Sequence, residues 1–540
     1  MRTIPPAAPK RLPGTLALLL VLTAWLPWNA TPAAIAACSG SFTPIYAIQG
    51  SGMSAAITGT VTTQGVVIGD YEGPSPALRG FYIQDEDTTR DNDPETSEGI
   101  FIYEGSNANA VSLGDVVQVT GTAGEYQGQT EINASAVTIC GSGAAVVPVD
   151  VSLPVLDSTY LERYEGMLVH FQQNLYVTET YQLGHFGEVL LSSSERLKEP
   201  TQIALPGADA RAVQAQNNLN QILLDDASQT QYPDPIVFGR GGQPLSASNT
   251  LRAGDYASQI TGVLTYTWAG DYPSHNAYRL RPINALGGGA PDFQPGNPRP
   301  AIPADASAGL RVVGMNLLNY FNTFADGNAS TPGCFPSGTD TDCRGAKSQA
   351  EFDRQWPKTV AAILATGGDV IGVTELENDG YGPTSAIQDL VTKLNNANAQ
   401  GQYAFIDADA ATRQAHALGG DAIKVGLLYQ PGKVTPAGQT AVLNTPDFIN
   451  GGDSSPRNRA ALAQAFKENA TGQIFVVIVN HFKSKGNACD YPDTRDGQGN
   501  CNTVRTMAAH QLAAWLATTP TSFATASTLI LGDLNSYARE

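Results

Sequence analysis

Basic side chains are scarce. The 540 residues include 31 Lys and Arg against 50 Asp and Glu, a formal net charge of −19 with a pI near 4.7. That balance argues against a protein that coats nucleic acid through a general basic surface. It leaves room for an enzyme that grips a phosphodiester locally through a divalent metal. Charged residues of both signs make up only 15%, against 55 Gly and 34 Pro. The profile is rich in strands and turns and poor in helix. Beyond Trp28 no stretch is long and apolar enough to cross a bilayer.

The opening segment has Arg2, Lys10 and Arg11, then an apolar run from Leu16 to Trp28, then small residues. This reads as a secretory signal peptide over 1–37, to be excluded from the fold. The run Ile35-Ala36-Ala37-Cys38 also fits a bacterial lipoprotein box, and the alternative is an outer-membrane lipoprotein anchored at Cys38. Cysteines are few but even in number, six in all. An oxidising destination favours pairing in chain order, Cys38–Cys140, Cys334–Cys343 and Cys489–Cys501, among the possible arrangements. Acylation of Cys38 would leave Cys140 without an obvious partner.

The chain is long enough for several domains. From 38 to 148, short alternating runs such as ITGTVTTQGVVIGD, RGFYIQDED, GIFIYEG and GDVVQVTG predict about five strands and no helix. A small barrel of the oligonucleotide-binding (OB) type is expected, with a plain β-sandwich as competitor. From 149 to 290 the grammar repeats in part: GDVVQVTG at 114–121 is echoed by GDYASQITG at 254–262. A second β-rich domain, a degenerate internal copy, is expected there. Residues 291–309, PDFQPGNPRPAIPADASAG, read as a proline-rich linker. From 310 to 540 strand runs (RVVGMNLLNYF, DVIGVTELEND, AIKVGLLYQP, GQIFVVIVNHFKSKG, STLILGDLN) alternate with amphipathic helices, predicting an α/β domain with a parallel or mixed sheet.

Four of these strands end on polar groups of related chemistry: Asn316, Glu375, His481, and Asp533 with Asn535. Taken singly, each is explained by caps and turns. Together, in one domain, they are harder to dismiss. Glu375 and Asp533 are hard oxygen donors suited to Mg²⁺, Mn²⁺ or Ca²⁺, and the two amides add neutral groups that do not repel a phosphate. One imidazole among carboxylates is a poor zinc set, so His481 is read as an acid–base or phosphate-contacting group.

The stretches TELEN around Glu375, NHFKSKG around His481 and GDLNSYA around Asp533, with Asn316, resemble the metal-dependent endonuclease/exonuclease/phosphatase superfamily, and within it the secreted bacterial extracellular nucleases. The resemblance covers nearly the whole chain after the signal peptide. It implies a four-layer α/β sandwich and Mg²⁺- or Mn²⁺-dependent hydrolysis of phosphodiesters in extracellular DNA, with RNA as the other substrate. It further implies that Glu375 holds the metal, that Asn316 supports the metal and phosphate, and that Asp533 with Asn535 orients the attacking water or the phosphate. His481 would contact a phosphoryl oxygen or assist the leaving group, and Arg459 in PRNRAALAQAF would be a phosphate contact. Members of that family continue past GDLN to a late Asp-His pair, so the ending STLILGDLNSYARE reads as a truncation inside an incomplete sandwich. His416 and His510 are poor substitutes for the missing histidine, and little activity is expected of this piece.

Two rival readings are kept. One is a phosphomonoesterase or phospholipid phosphodiesterase on the same scaffold; the other is a non-catalytic surface or matrix binding protein. Other features have ordinary explanations beside functional ones. Asp85, Asp87, Asp91 and Asp93 could hold a structural Ca²⁺ or form a solvated loop. Asp490, Asp493 and Asp496 lie between Cys489 and Cys501 and pose the same choice. His170, His185 and His275 read as surface or packing residues. Phe81, Tyr82, Phe101 and Tyr103 could stack bases, but alternation turns one of each pair into the barrel.

Overall fold

The structure, a computed structural model, describes residues 38, 40–106, 110–271, 274–299, 309–325, 333–398 and 402–540. The expected signal peptide at 1–37 and residues 300–308 of the expected linker lie outside the described residues.

The first unit starts with the short helix α1 (Ile45–Gln49) and five strands: β1 (Gly59–Tyr71), β2 (Gly80–Gln84), β3 (Gly99–Tyr103), β4 (Val116–Tyr126) and β5 (Gln129–Gly141). They close into a barrel in the order β1-β2-β3-β5-β4. The two-residue period sends Phe81, Ile83, Ile100, Ile102, Val117, Val119 and Ile132 inward, and Ile45 and Ile48 of α1 join the same core. Gln127 and Gly128, both at positive φ, turn β4 into β5 with Tyr126 opposite Gln129, the geometry a tight hairpin requires.

The second unit comprises β6 (Val149–Asp150), β7 (Leu168–Phe171), β8 (Leu175–Glu179), α2 (Leu183–Phe186), β9 (Val189–Ser193), α3 (Pro200–Ile203), α4 (Ala208–Leu219), β10 (Ile222–Leu224), β11 (Tyr256–Ala257), β12 (Ile260–Thr267) and β13 (Ala277–Pro282). Its pairings repeat those of the barrel. Antiparallel β8-β9 and β9-β10, parallel β10-β13, and antiparallel β13-β12 and β12-β7 follow β1-β2, β2-β3, β3-β5, β5-β4 and β4-β1 in kind and order. Strands β7 and β8 take the two ends of the single long β1. The echoed GDVVQVTG and GDYASQITG lead into the corresponding strands β4 and β12.

Two expectations change here. Phe293, assigned to the linker, is 1% exposed in the core of this second unit. Phe293 and Gln294 also bridge to Arg240 and Tyr256, so residues 291–299 run along the domain rather than away from it. In the barrel, alternation does turn Tyr82 and Phe101 outward, yet both are buried, because that outer face packs with Tyr71 and Leu78 against Val263 of β12. An outward side chain on a barrel is exposed only where no second domain covers it.

The acidic loop does not assemble as a Ca²⁺ site. Asp85 accepts from the Ile45 N–H at 3.1 Å at the start of α1, and Asp87 pairs with Arg90. Among the described residues these carboxylates form no cluster of three or more, nor do Asp490, Asp493 and Asp496.

The third unit runs β14 (Val312–Tyr320), α5 (Gln349–Thr366), β15 (Val370–Glu377), α6 (Ala386–Ala397), β16 (Ala404–Phe405), α7 (Ala408–Thr412), β17 (Ile423–Tyr429), β18 (Val434–Leu443), α8 (Pro446–Asn450), β19 (Arg459–Glu468), β20 (Ile474–His481), α9 (Asn502–Ala517) and β21 (Ser527–Asp533). The strands form two mixed four-stranded sheets, β14-β15-β17-β16 and β18-β19-β20-β21. Ser348 and Ser385 cap α5 and α6 by accepting backbone N–H groups. These helices lay Phe352, Ile363, Ile387 and Leu390 on the first sheet. Phe448 of α8, with Ala508 and Leu512 of α9, packs on the second. The inner faces of the sheets meet through Leu427, Leu462, Val477 and Val479. At Gly372 a Cβ would lie 2.2 Å from Leu531 and 2.6 Å from Val479, so the missing side chain lets the sheets approach at that point. The order is helix, sheet, sheet, helix. Gly207 at the start of α4 donates its N–H to Asp496 O at 2.6 Å, tying the second unit to the third.

All three cysteine pairs form as expected. No described helix is long and apolar enough to cross a membrane.

Candidate metal and phosphate site

The paired sheets bring the expected residues together through strand register. In the parallel β20-β21 pair His481 lies beside Asp533, and across β19-β20 Arg459 lies beside His481. In the other sheet Asn316 lies beside Thr374, directly before Glu375. Both strands there are irregular: the pairing shifts between Asn316 and Tyr320 and between Val373 and Leu376, with Leu318, Asn319 and Glu375 at positive φ. Such bulges re-aim side chains that a regular pleat would send elsewhere.

Glu375, His481 and Asp533 each offer a ligand atom, and these atoms all lie within 4.8 Å of one another. Asn316 spans the carboxylates, its Nδ2 donating to Glu375 Oε1 at 3.0 Å and to Asp533 Oδ2 at 3.1 Å. The Asn319 N–H donates to Glu375 Oε2 at 3.1 Å. Among the described residues no Lys or Arg pairs with either carboxylate, and the nearest basic group is His481 Nε2, 4.0 Å from Glu375 Oε1. Two converging carboxylates held by one amide and two backbone N–H groups, those of Asn319 and Asn535, lack a counter-charge. Oxygen donors with one imidazole suit a hard divalent ion such as Mg²⁺ or Mn²⁺.

His481 is 3% exposed, and its Nδ1 is buried without a hydrogen-bond partner. Burial, reinforced by the Arg459 charge, pushes its pKa down to about 4. The imidazole is therefore neutral at pH 7.

Three assignments change in detail. Asn316 was expected to support the metal directly, but its Oδ1 accepts from the Leu318 N–H at 2.8 Å. It presents N–H groups to the centre and acts as a strut. Asn535 holds the turn: its side chain donates to Phe482 O and its backbone N–H donates to Asp533 Oδ1, both at 2.9 Å. Arg459, the expected phosphate contact, stands beside His481 but is engaged by Asp421, Nε to Oδ2 at 3.2 Å.

Asp421 also pairs with Arg344 at 3.1 Å, so one carboxylate gathers two guanidinium groups at the edge of the centre. Neither residue is distinguished in the sequence, since isolated charges in loops are common. The only signal is that Arg344 follows Cys343, whose disulfide closes a nine-residue separation.

No family model matches the chain, and no curated protein matches it. Solved structures do. Among its structural neighbours are endonuclease/exonuclease/phosphatase family proteins. One such protein from Bacteroides thetaiotaomicron is 14% identical, with 35% of this chain aligned to 57% of that one at a TM-score of 0.24. The human Nocturnin catalytic domain with bound sulfate is 17% identical over 36% of this chain and 62% of that one, TM-score 0.24. D. rerio TDP2 complexed with a single-strand DNA product is 12% identical over 33% and 53%, TM-score 0.21. The chain thus spans less than two thirds of each of these structures.

Proposed function

We propose that the protein is a secreted, metal-dependent phosphodiesterase that hydrolyses nucleic acid, with DNA as the first substrate to test and RNA the second. The observation that carries this reading is the convergence of Glu375, His481 and Asp533 from two sheets, with both carboxylates lacking a basic partner. The Arg- and Lys-flanked apolar run before Cys38 and the three disulfides support export. The pairing order and closure of the first barrel support the oligonucleotide-binding type for it.

Glu375 and Asp533 would hold the ion, and Asn316 would keep the two carboxylates in register. A divalent ion bound there supplies a water of lowered pKa and positive charge against the phosphate oxygens. His481, neutral at pH 7, can donate one hydrogen bond to a phosphoryl oxygen without a counter-anion to release. Arg459, steadied by Asp421, adds a fixed positive charge on the same side, where negative charge grows in the transition state. Lining Gly532, Asp533, Asn535, Ser536, Tyr537 and Lys485, a cavity of about 440 Å³ leaves room beside the centre for a phosphate and the groups attached to it.

The test is incubation of the purified chain with plasmid DNA, RNA, sphingomyelin and a sugar phosphate, each with Mg²⁺ or Mn²⁺ and each with chelator. Weak cleavage of DNA or RNA that stops with chelator and falls further, by up to roughly a hundredfold, in His481→Ala is expected. Turnover confined to the sugar phosphate or sphingomyelin would move the reading to the rival phosphoesterases. Identical Mn²⁺ isotherms for wild type and Glu375→Ala would remove the metal site.

A further inference from the structure

A second cavity, about 400 Å³, lies where the barrel meets the second unit, away from the residues of the metal centre. Its barrel wall is the outer face of β3 and β5. Phe101 and Tyr103 alternate with the core residues Ile100 and Ile102, and Gln129, Glu131 and Asn133 alternate with Ile132. Tyr126, at the tip of the β4–β5 hairpin and 52% exposed, and Trp268, just after β12, contribute two more rings. The same domain packing that hides Phe101 therefore leaves a pocket lined by aromatic rings.

Two charged groups in this pocket lack partners. Glu131 forms no side-chain hydrogen bond or ion pair among the described residues; burial and the Glu125 charge push its carboxyl up to about 7. Arg79 lies over the Tyr103 ring at 5.2 Å, and its Nε is buried with nothing to donate to. The two do not pair with each other. A desolvated donor left open, as Arg79 Nε is, costs free energy unless a ligand completes it, and the half-buried Glu131 offers an acceptor on the wall of the same cavity.

We infer that this pocket binds one guanine base, stacked on the Tyr103, Tyr126 and Trp268 rings, with Glu131 accepting from the base's N1–H and N2–H and Arg79 donating to O6 or N7. A planar heterocycle matches the ring-lined walls. Guanine alone among the common bases presents two adjacent donors to a carboxylate together with two acceptors to a guanidinium. A carboxylate in the pocket repels phosphate, so the base enters and the backbone stays outside. The inference rests on the phosphodiesterase reading only for the source of the base, a single strand presented to the enzyme.

Isothermal titration of the full chain in EDTA with guanosine, adenosine and cytidine, with a short single strand with and without guanine, and with a neutral oligosaccharide tests it. Guanosine is expected to bind at least about tenfold tighter than the other nucleosides, and Glu131→Gln to abolish that preference. Tyr126→Ala, at an exposed ring whose loss leaves the core intact, is expected to weaken guanosine and the guanine strand alike. Equal binding of all nucleosides, binding of the oligosaccharide alone, or no binding would each overturn the inference. A guanine strand that binds while guanosine does not would overturn it as well. Chelator silences the metal centre, so these results are independent of whether hydrolysis is found.

Discussion

Glu375→Gln replaces a carboxylate by its neutral isostere where two negative groups of the candidate centre meet without a basic partner. In wild type the Glu375 and Asp533 oxygens lie within 4.8 Å. At 4.8 Å and an effective dielectric of 20 their repulsion is about 3.5 kcal/mol, and it rises at shorter separations. Glu375 is 19% exposed and Asn316 donates to both groups, so solvent and the amide reduce this to about 1 kcal/mol. Gln accepts from Asn316 or from the Asn319 N–H but not from both with one oxygen, losing a hydrogen bond of about 1 kcal/mol. In chelator the variant is therefore expected within about 1 kcal/mol of wild type. With Mg²⁺ or Mn²⁺ at a hundredfold excess over Kd, wild type gains about 2.7 kcal/mol. For a unit of this size that is a rise in Tm of about 5–10 °C. Glu375→Gln should gain less than about 2 °C in the same salt, and Asp87→Asn in the acidic loop should gain as much as wild type. Thermal unfolding followed by near-UV circular dichroism, with and without metal, reads all three. Equal metal-induced shifts in wild type and Glu375→Gln would refute the metal site.

Gly532 has φ +119°, and a Cβ there would lie 2.0 Å from Asn480 O; Gly532→Ala should cost at least about 3 kcal/mol in urea unfolding, and a loss under 1 kcal/mol would contradict the close β20-β21 approach. Phe293→Ala should cost about 3–5 kcal/mol, whereas a linker residue would cost almost nothing in the same assay. Asp226 is 1% exposed with Oδ2 unpartnered, and burial followed by the Asp225 charge raises its pKa to about 8. The folded state then holds a proton that the unfolded state releases near pH 4. Its contribution is intact below pH 4 and is lost as pH rises to 8, by about 6 kcal/mol at most. Asp226→Asn should flatten the stability profile over that range, and an unchanged slope would contradict the assignment. Asp421→Ala frees Arg459 and Arg344 from their shared carboxylate; kcat/KM for the nucleic acid substrate should fall about tenfold, near 1.4 kcal/mol, and unaltered kinetics would remove Asp421 from the site.

Local pattern was enough to find the strands that carry the centre. An apolar run that stops on a polar residue is visible without coordinates; His481 and Asp533 close their strands, whereas Glu375 stands two residues before the end of β15 and Asn316 lies in the middle of β14. The barrel strands and the partial repeat were legible for the same reason, since a period of two and a glycine turn are local properties. Direction and occupancy of a polar group were not. Whether Asn316 offers oxygen or N–H depends on the Leu318 backbone at a bulge, and whether Arg459 is free depends on Asp421, from a loop of the other sheet's chain segment. The fate of Tyr82 and Phe101 turned on a neighbouring domain, because alternation selects the face of a strand and only packing decides what covers it. Sequence determined which residues stand at strand ends, through short-range sterics and hydrophobic period. Tertiary structure alone decided which of them meet, because their distances are set by register and by the stacking of two sheets, neither of which is written in any local stretch.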